Sequence, residues 1–389
     1  MLIRHLKVSG LLSFGPSGID LALGNLNVLI GPNGSGKSNL LEVLALLKAA
    51  PTNLSQPVKD MGGMREWLWK GSPSPSMPEA MIDAIVEYPK GNQPLRHGLY
   101  ITDYGGRFEV MDEWIGNEQA LAGETQSEFF YNFRRGNPVL NDFPATQRSL
   151  PRHSLKPEQS ILAQVRDPER FPALAWLQQQ YEQIRLFRNW SFGPGAPLRH
   201  EQSTHGRADF LADGGENLPL VLSKIRTRVK PDLLNSMKKL YEGIEDVQLT
   251  IDGGNVLLFL EERGGREIPA TRLSDGTLRY LCLLAILLHP DPPPLIALEE
   301  PELGLHPDVI PHVAELLIRA AERTQLVVTT HSRMLIDALT EDPASVVVCQ
   351  KEDGESRFER LKPNELALWL EKYSLGHLWS MGELGGNRW

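Results

Sequence analysis

The residues best suited to chemistry stand in a glycine-rich run near the start of the chain. Residues 31–38 read GPNGSGKS and match the pattern GxxxxGK[ST]. In this pattern, glycines let backbone N–H groups close around phosphates, the lysine reaches the outer phosphates and the last hydroxyl supplies an oxygen to Mg²⁺. The run therefore predicts a site for a nucleotide such as ATP. The predicted contacts are Gly31, Pro32, Asn33, Gly34, Ser35, Gly36, Lys37, Ser38 and Asn39.

Two acids end an apolar run later in the chain. The run LIALEE, residues 295–300, stops at Glu299 and Glu300, directly before Pro301. One acid at such a strand end can bind Mg²⁺ and the next can act on an attacking water. We assign Glu299 to the metal, with Ser38, and Glu300 to the water. The alternative is a pair of solvated acids, and Glu302 could cap the next turn.

A third apolar run, LVVTTHS at residues 326–332, ends in polar residues. A histidine at the tip of a strand could hydrogen-bond the γ-phosphate or the attacking water. His331 is therefore the third catalytic candidate, with Glu300 and Lys37. The alternative is an ordinary surface or core contact.

The elements around these residues suit their predicted roles. Leu26–Ile30 reads as a strand, and the leucine-rich run NLLEVLALLKAA after the glycine-rich turn has helical spacing. Strand, loop and helix are the order that a phosphate-binding loop requires. From Leu273 to Val348 helices alternate with β-rich strands, which predicts an α/β fold whose mixed central sheet is completed from both ends of the chain.

The middle of the chain predicts additions to this α/β core. Met81–Val110 contains three β-rich pieces, which indicate a small antiparallel subdomain. Residues 112–240 have helical patterns, interrupted by SFGPGAPLRHEQSTHGRADF, and predict an inserted helical region. VQLTIDGG and NVLLFLEE predict a hairpin, and no run is long enough for a coiled coil. The expected segments are 1–111, 112–240 and 241–389.

Composition narrows the class of protein. With 389 residues, 41% hydrophobic and 23% charged, the chain has the balance of a globular protein with a sizeable core. No apolar run reaches the roughly 18 residues needed to cross a bilayer, and the first residues lack the apolar core of a signal peptide. We therefore expect a cytoplasmic protein without a membrane partner. Cys282 and Cys349 are the only cysteines, which excludes a disulfide framework.

Two polar stretches leave alternatives open. A basic run could bind DNA or RNA phosphates, although the net charge of −9 and the usual behaviour of such runs favour a solvated helix face. Its members are Lys224, Arg226, Arg228, Lys230, Lys238 and Lys239. The stretch RADFLADGGENLPLVL contains Arg207, Asp213 and Gly214; a loop with Asn217 capping the next helix is favoured over a nucleotide contact.

Together the motifs resemble ABC-type ATPases of the RecF- and SMC-like branch, most closely the compact bacterial "AAA family ATPase" group. The supporting motifs are Walker A at residues 31–38, LIALEEPELGLHP as Walker B with a D-loop, and TTHS as a His switch. Ser274, Asp275 and Gly276 fall in LSDGT, which is similar to the LSGGQ signature. Two features depart from the family: Glu299 replaces the usual aspartate, and no Q-loop glutamine stands out, Gln56 being possible.

The resemblance implies an ABC-ATPase head that hydrolyses ATP with Mg²⁺ and forms an ATP-dependent homodimer. In that dimer the signature serine acts on nucleotide held by the other subunit. The implied role is DNA repair or defence against foreign nucleic acid, with a separate nuclease or effector partner. Two alternatives are a membrane-transporter subunit and the ATPase part of an OLD-like nuclease system. The 58 residues after His331 lack the length and clustered acids of a nuclease domain.

Overall fold

The computed structural model describes residues 1–71, 79–120, 127–134, 136–142, 146–151 and 154–385. It forms two compact units. The first unit contains Met1–Ile184 and Val347–Leu361, and the second contains Arg185–Val346 and Lys362–Leu384. The segment boundaries expected from the sequence divide the chain differently and stay a prediction.

The strands have the following bounds: β1 (Ile3–Ser9), β2 (Ile19–Ala22), β3 (Leu26–Ile30), β4 (Glu79–Val86), β5 (Leu95–Tyr104), β6 (Arg107–Asn117), β7 (Phe129–Arg134), β8 (Asn137–Asp142), β9 (Thr146–Ser149), β10 (Arg185–Phe187), β11 (Gln202–Ser203), β12 (Ile244–Asp252), β13 (Asn255–Glu262), β14 (Arg266–Pro269), β15 (Leu295–Glu299), β16 (Gln325–Thr329), β17 (Val346–Glu352) and β18 (Glu355–Arg360). The helices are α1 (Lys37–Ala49), α2 (Gln56–Asp60), α3 (Met64–Trp67), α4 (Ile161–Gln164), α5 (Pro172–Glu182), α6 (Leu218–Leu240), α7 (Asp275–Leu287), α8 (Ile310–Ala321), α9 (Arg333–Asp337), α10 (Pro363–Leu370) and α11 (Leu375–Met381).

The first unit contains a large antiparallel sheet. Its eight strands follow the order β2-β1-β4-β5-β6-β7-β8-β9, so most neighbours in space are also neighbours along the chain. Antiparallel neighbours of this kind need only short connections. The predicted antiparallel subdomain is present and is larger than the sequence suggested.

The prediction of helices from residue 112 is wrong for the first part of that region. Strand β6 continues to Asn117, and β7, β8 and β9 carry the sheet on to Ser149. FFYNFR in β7 has the aromatic content that suits a pleated surface, and each new strand pairs with the open edge left by the one before. Among the described residues of this region, the first α-helix is α4, which begins at Ile161.

Strand β3 positions the glycine-rich run in the first unit. All five of its residues are buried, and it lies beside β17, which in turn pairs with β18. Strands from both ends of the chain are therefore neighbours, as the sequence predicted. Helix α1 follows the glycine-rich run and buries its leucine face.

The second unit carries three parallel strands in the order β10-β15-β16. Because parallel strands point the same way, the carboxyl ends of β15 and β16 lie at one edge. Helix α7 is buried from Tyr280 to its end, while its first turn is exposed or half-buried, and α8 buries one face. These elements place the acids of residues 299–300 beside the TTHS segment.

The predicted hairpin also belongs to the second unit. Strands β12 and β13 pair with Asp252 opposite Asn255, and the two linking residues, Gly253 and Gly254, have φ angles of 55° and 82°. A two-residue turn with both φ angles positive twists in the way the strands require, and glycine adopts it without strain. Helix α6 is the longest described helix at 23 residues, in keeping with the expected absence of a long coiled-coil arm.

Candidate active site

The glycine-rich run forms a tight loop between β3 and α1. Gly31, Gly34 and Gly36 have φ angles of 150°, 79° and 101°. A Cβ at Gly31 would lie 2.1 Å from the Cys349 carbonyl oxygen, and one at Gly36 would lie 2.2 Å from Ser356 Oγ. These positions need glycine for conformation and for close approach. Backbone packing of this kind exposes N–H groups to an anion.

Two buried side chains of the loop suit a phosphate ligand. Lys37 is 6% exposed, and its Nζ donates to the carbonyl oxygens of Gly31 at 2.8 Å and Pro32 at 3.0 Å. Ser35 is buried, and its Oγ has no hydrogen-bond partner among the described residues. A buried hydroxyl without a partner is costly unless a ligand completes it. Helix α1 has no acid in its first turn, so its positive end can act on the same anion.

Side chains far apart in the sequence support this loop. Ser13 Oγ accepts a hydrogen bond from Asn39 Nδ2 at 2.6 Å and lies 2.6 Å from Ser356 Oγ. Asn39, predicted to contact nucleotide, thus bonds to Ser13 in this structure. Ser13, Cys349 and Ser356 could not be predicted as supports of this loop, because an isolated serine or cysteine gives no local signal.

In the second unit, the structure brings Glu300 and His331 together. His331 Nε2 lies 3.6 Å from Glu300 Oε1, and both side chains are about one-third exposed. Glu299 is the last residue of β15 and pairs with Thr329 of β16. The predicted metal ligand, base and histidine therefore lie on adjoining strand ends, where water can reach them.

The backbone of Glu300 has an unusual conformation. Its φ is 44°, which side-chain-bearing residues rarely adopt. Its N–H donates to the Thr329 carbonyl at 3.0 Å, and its own carbonyl accepts from Arg279 Nη1 at 3.3 Å. Strain of this kind is found at functional sites where surrounding contacts hold it.

Glu302 has a different role from the turn cap considered above. It is 8% exposed; its Oε1 accepts hydrogen bonds from Thr330 Oγ1 and from the His331 N–H, the latter at 3.2 Å. Burial raises the pKa of Glu302, and the hydrogen bond from Thr330 opposes that rise. Glu302 therefore fixes the segment that carries His331.

The signature residues begin helix α7. Ser274 Oγ accepts from the Thr277 N–H at 3.1 Å and so caps the helix. Ser274 and Asp275 are exposed. A Cβ at Gly276 would lie 2.6 Å from the carbonyl oxygen of Gly304, in the predicted D-loop. Glycine at this position therefore allows close packing, while the helix N-terminus stays open to solvent.

Two arginines near the signature were missed in the sequence. Arg199 is buried and binds the backbone just before Ser274, and Arg279 stands on α7 next to the Glu300 carbonyl. Arg199 lies in no recognisable motif, and Arg279 lies just after the LSDGT signature, a pattern that assigns it no role.

Asn217 occupies the N-cap position of α6, but its side chain does not cap the helix. Its Oδ1 accepts from the Ala212 N–H at 2.8 Å, and its Nδ2 donates to the carbonyls of Arg207 and Phe210. The predicted cap is wrong in this respect, because the preceding loop competes for the amide. The loop interpretation of Gly214 and Gly215 fits this arrangement.

Four of the six basic residues on α6 form ion pairs with three neighbouring acids. Arg226 and Lys230 pair with Asp246, while Lys224 pairs with Asp209 and Arg228 with Asp291. Lys238 and Lys239 are exposed. These pairs favour the solvated-face interpretation over a nucleic-acid interface.

Cysteines, metal-ligand clusters and apolar helices can each be assessed among the described residues. Both cysteines are buried and free, and no group of three His, Cys, Asp or Glu side chains among the described residues could hold a metal by itself. Within the same residues, no helix combines the length and apolarity needed to span a bilayer.

A phosphate loop between strand and helix, parallel strands ending in two acids and a histidine, and a serine-capped signature helix define an ABC-type P-loop ATPase. A family model described as "AAA domain, putative AbiEii toxin, Type IV TA system" matches residues 26–337. The chain belongs to this family and is an ATPase, as the sequence predicted.

Solved structures support the same fold. An Smc head bound to the C-winged helix domain of ScpA is similar, with a TM-score of 0.58, 14% identity and coverage of 93% of this chain and 99% of that chain. The Smc head with an extended coiled coil from Pyrococcus furiosus, bound to the C-terminal domain of ScpA, is also similar. Its TM-score is 0.55 at 14% identity, and the match covers 95% of this chain and 98% of that chain. The Smc head with a coiled coil and joint from Pyrococcus yayanosii has a TM-score of 0.52 at 12% identity, and the match covers 95% of this chain and 99% of that chain. No curated protein matches the sequence.

Proposed function

We propose that the chain is an ATP-driven switch that closes as a homodimer when ATP binds and reopens on hydrolysis. The observation that carries this proposal is the exposed, serine-capped N-terminus of α7. A helix N-terminus attracts phosphate, and the resemblance to ABC-type ATPases implies that this one acts on nucleotide held by the partner.

The reaction is attack of water on the γ-phosphate. Lys37 neutralises charge on the outer phosphates, and Glu300 orients or deprotonates the water. His331, 3.6 Å from Glu300, contacts the γ-phosphate or the water. Ser38 and Glu299 would hold Mg²⁺, which neutralises phosphate charge when bound. Ser274 of the partner adds donors that stabilise the developing negative charge.

The biological process is the second part of the proposal. The family description names a putative toxin of a toxin–antitoxin system, and this favours defence against foreign nucleic acid over DNA repair. Because the ion-paired face of α6 is poorly suited to nucleic acid, we favour a separate effector protein, such as a nuclease, as the partner that binds the ATP-bound form. Direct binding of DNA or RNA, a transporter subunit and an OLD-like nuclease system are the alternatives.

Mixing two inactive variants tests the homodimer. Ser274→Arg should keep ATP binding and lose hydrolysis and ATP-dependent dimerisation, because the bulky cation blocks the signature. Lys37→Ala should bind ATP too weakly to support hydrolysis at its own phosphate loop. A heterodimer of the two retains one site with a wild-type phosphate loop and a wild-type signature, so the mixture should regain part of the ATPase activity. Hydrolysis by monomeric Ser274→Arg at the wild-type rate would exclude the shared site.

The nature of the partner needs a separate experiment. Glu300→Gln protein, held in its ATP state, should retain an effector from cells that express the neighbouring genes, whereas Lys37→Ala should not. Retention of nucleic acid alone, lost at high salt, would instead support the direct-binding alternative.

A further inference from the structure

A loop of the second unit, residues 190–199, contacts both the signature and the surroundings of Glu300. We call it the bridging loop. Residues 191–199 belong to the glycine- and proline-rich interruption in the helical patterns, and no motif assigns the loop a role.

One end of the bridging loop binds the backbone around the signature. Arg199 is 6% exposed, and its Nη1 donates to the carbonyl of Leu273 at 2.6 Å and of Ala270 at 3.2 Å. Its other terminal nitrogen pairs with Asp275. Ser274 lies between Leu273 and Asp275, so this arginine fixes the chain on both sides of it.

The other end of the bridging loop holds Arg279. The guanidinium of Arg279 lies 5.4 Å from the ring centroid of Trp190 and 5.3 Å from that of Phe192. Both distances are typical of cation–π contacts. Arg199 Nε also donates to the Phe192 carbonyl at 2.7 Å, which ties the two ends together.

Arg279 in turn reaches Glu300. Its Nη1 donates to the Glu300 carbonyl at 3.3 Å, at the residue whose φ of 44° needs support. Arg279 follows Ser274 by five residues, about 7.5 Å along the helix axis. One rigid helix therefore carries the signature at its tip and the support for Glu300 on its side.

The partial burial of the Arg279 charge is difficult to explain by packing alone. The side chain is half-buried, and burial lowers the pKa of its guanidinium, while the nearby Glu302 and Glu300 carboxylates act in the opposite direction. Burying a charge costs free energy that a methionine of similar length would not incur. Methionine could neither donate a hydrogen bond to the Glu300 carbonyl nor make cation–π contacts with the two rings, whereas the charged, planar guanidinium does both.

We propose that Arg279 is a positioning residue for Glu300, and that α7 and the bridging loop transmit contact at Ser274 to the backbone of Glu300. This inference rests on the proposed function, in which Glu300 acts on the water and Ser274 meets the partner's nucleotide. Hydrolysis would then be sensitive to dimer closure through this connection within each subunit.

Arg279→Gln tests the proposal. It should lower kcat about 10- to 100-fold, the scale on which misplaced catalytic groups act, with unchanged ATP affinity and unchanged dimerisation on a non-hydrolysable ATP analogue. Arg279→Lys keeps the charge without the planar stacking, so it should recover only part of kcat. Phe192→Leu, which loosens the contact without removing the arginine, should fall between wild type and Arg279→Gln.

The matched control is Arg185→Gln. The Arg185 guanidinium lies 5.1 Å from the Phe210 ring, and burial lowers its pKa in the same way. It should change thermal stability by a similar amount and leave kcat unchanged. Equal effects of the two substitutions on kcat would overturn the proposal.

A double variant separates positioning from general damage. If Arg279 acts only through Glu300, Arg279→Gln combined with Glu300→Gln should turn over no more slowly than Glu300→Gln alone. Multiplied losses would overturn the inference and leave the proposed function intact. Full activity of Glu300→Gln by itself would instead remove the proposed function on which the inference rests.

Discussion

At the scale of single residues, the position of Lys37 leads to a prediction about ATP affinity. Its ammonium is buried against the Gly31 and Pro32 carbonyls, contacts that outer phosphates would replace or extend. Lys37→Ala should weaken ATP binding about 10-fold or more, the scale of one lost hydrogen bond to a charged group. A nucleotide titration measures it. Lys59→Ala, at an exposed position on α2, is the control, and wild-type affinity in Lys37→Ala would exclude this phosphate site.

Glu300 separates binding from hydrolysis. Glu300→Gln should bind ATP normally and hydrolyse it about 10²-fold or more slowly, because the amide cannot accept a proton from water. Steady-state turnover and ATP affinity, measured side by side, check this. Glu322→Gln, an exposed position just after α8, should behave as wild type. If Glu299→Gln or Glu302→Gln were the inactive variant instead, the base would have been assigned to the wrong acid.

At the scale of elements, buried Glu302 links the loop after β15 to the segment after β16. Burial raises its pKa, so the folded state favours the protonated form. The stability from this group is therefore fully present below the carboxyl's ordinary pKa and is lost as pH rises through the raised folded value. The Tm of Glu302→Gln, in which residue 302 cannot ionise, should rise relative to the Tm of wild type as pH increases. A constant difference in Tm across pH 4 to 8 would contradict this.

Elements with a strong local signal could be predicted from the sequence. The phosphate loop between β3 and α1, the acids that follow β15 and the β12–β13 hairpin each have a residue pattern within about ten positions. Strands β7 to β9 could not be predicted in this way, because their identity depends on an open sheet edge, which no local window contains. Ser356 and Arg199 were missed for a related reason: their partners are remote in sequence, and each residue type is common in surface loops.

At the scale of the whole molecule, the switch should appear as a change in oligomeric state. Glu300→Gln should sediment as a dimer with ATP and as a monomer without it, because ATP would bridge the phosphate loop of one subunit and the signature of the other. Adding Ser274→Arg should abolish the dimer while ATP binding persists. A dimer of equal stability with and without nucleotide would show that association is constitutive and that ATP does not drive it.

The supports of the phosphate loop have a consequence for how the protein is made. Gly31 packs against the Cys349 carbonyl and Gly36 against Ser356, and Ser356 bonds to Ser13 across 343 positions of the chain. A ribosome will have synthesised the whole GPNGSGKS run long before these supports exist. A nascent chain should therefore gain affinity for ATP only after residue 356 has emerged, and bound nucleotide would then favour the finished fold over its incomplete precursors.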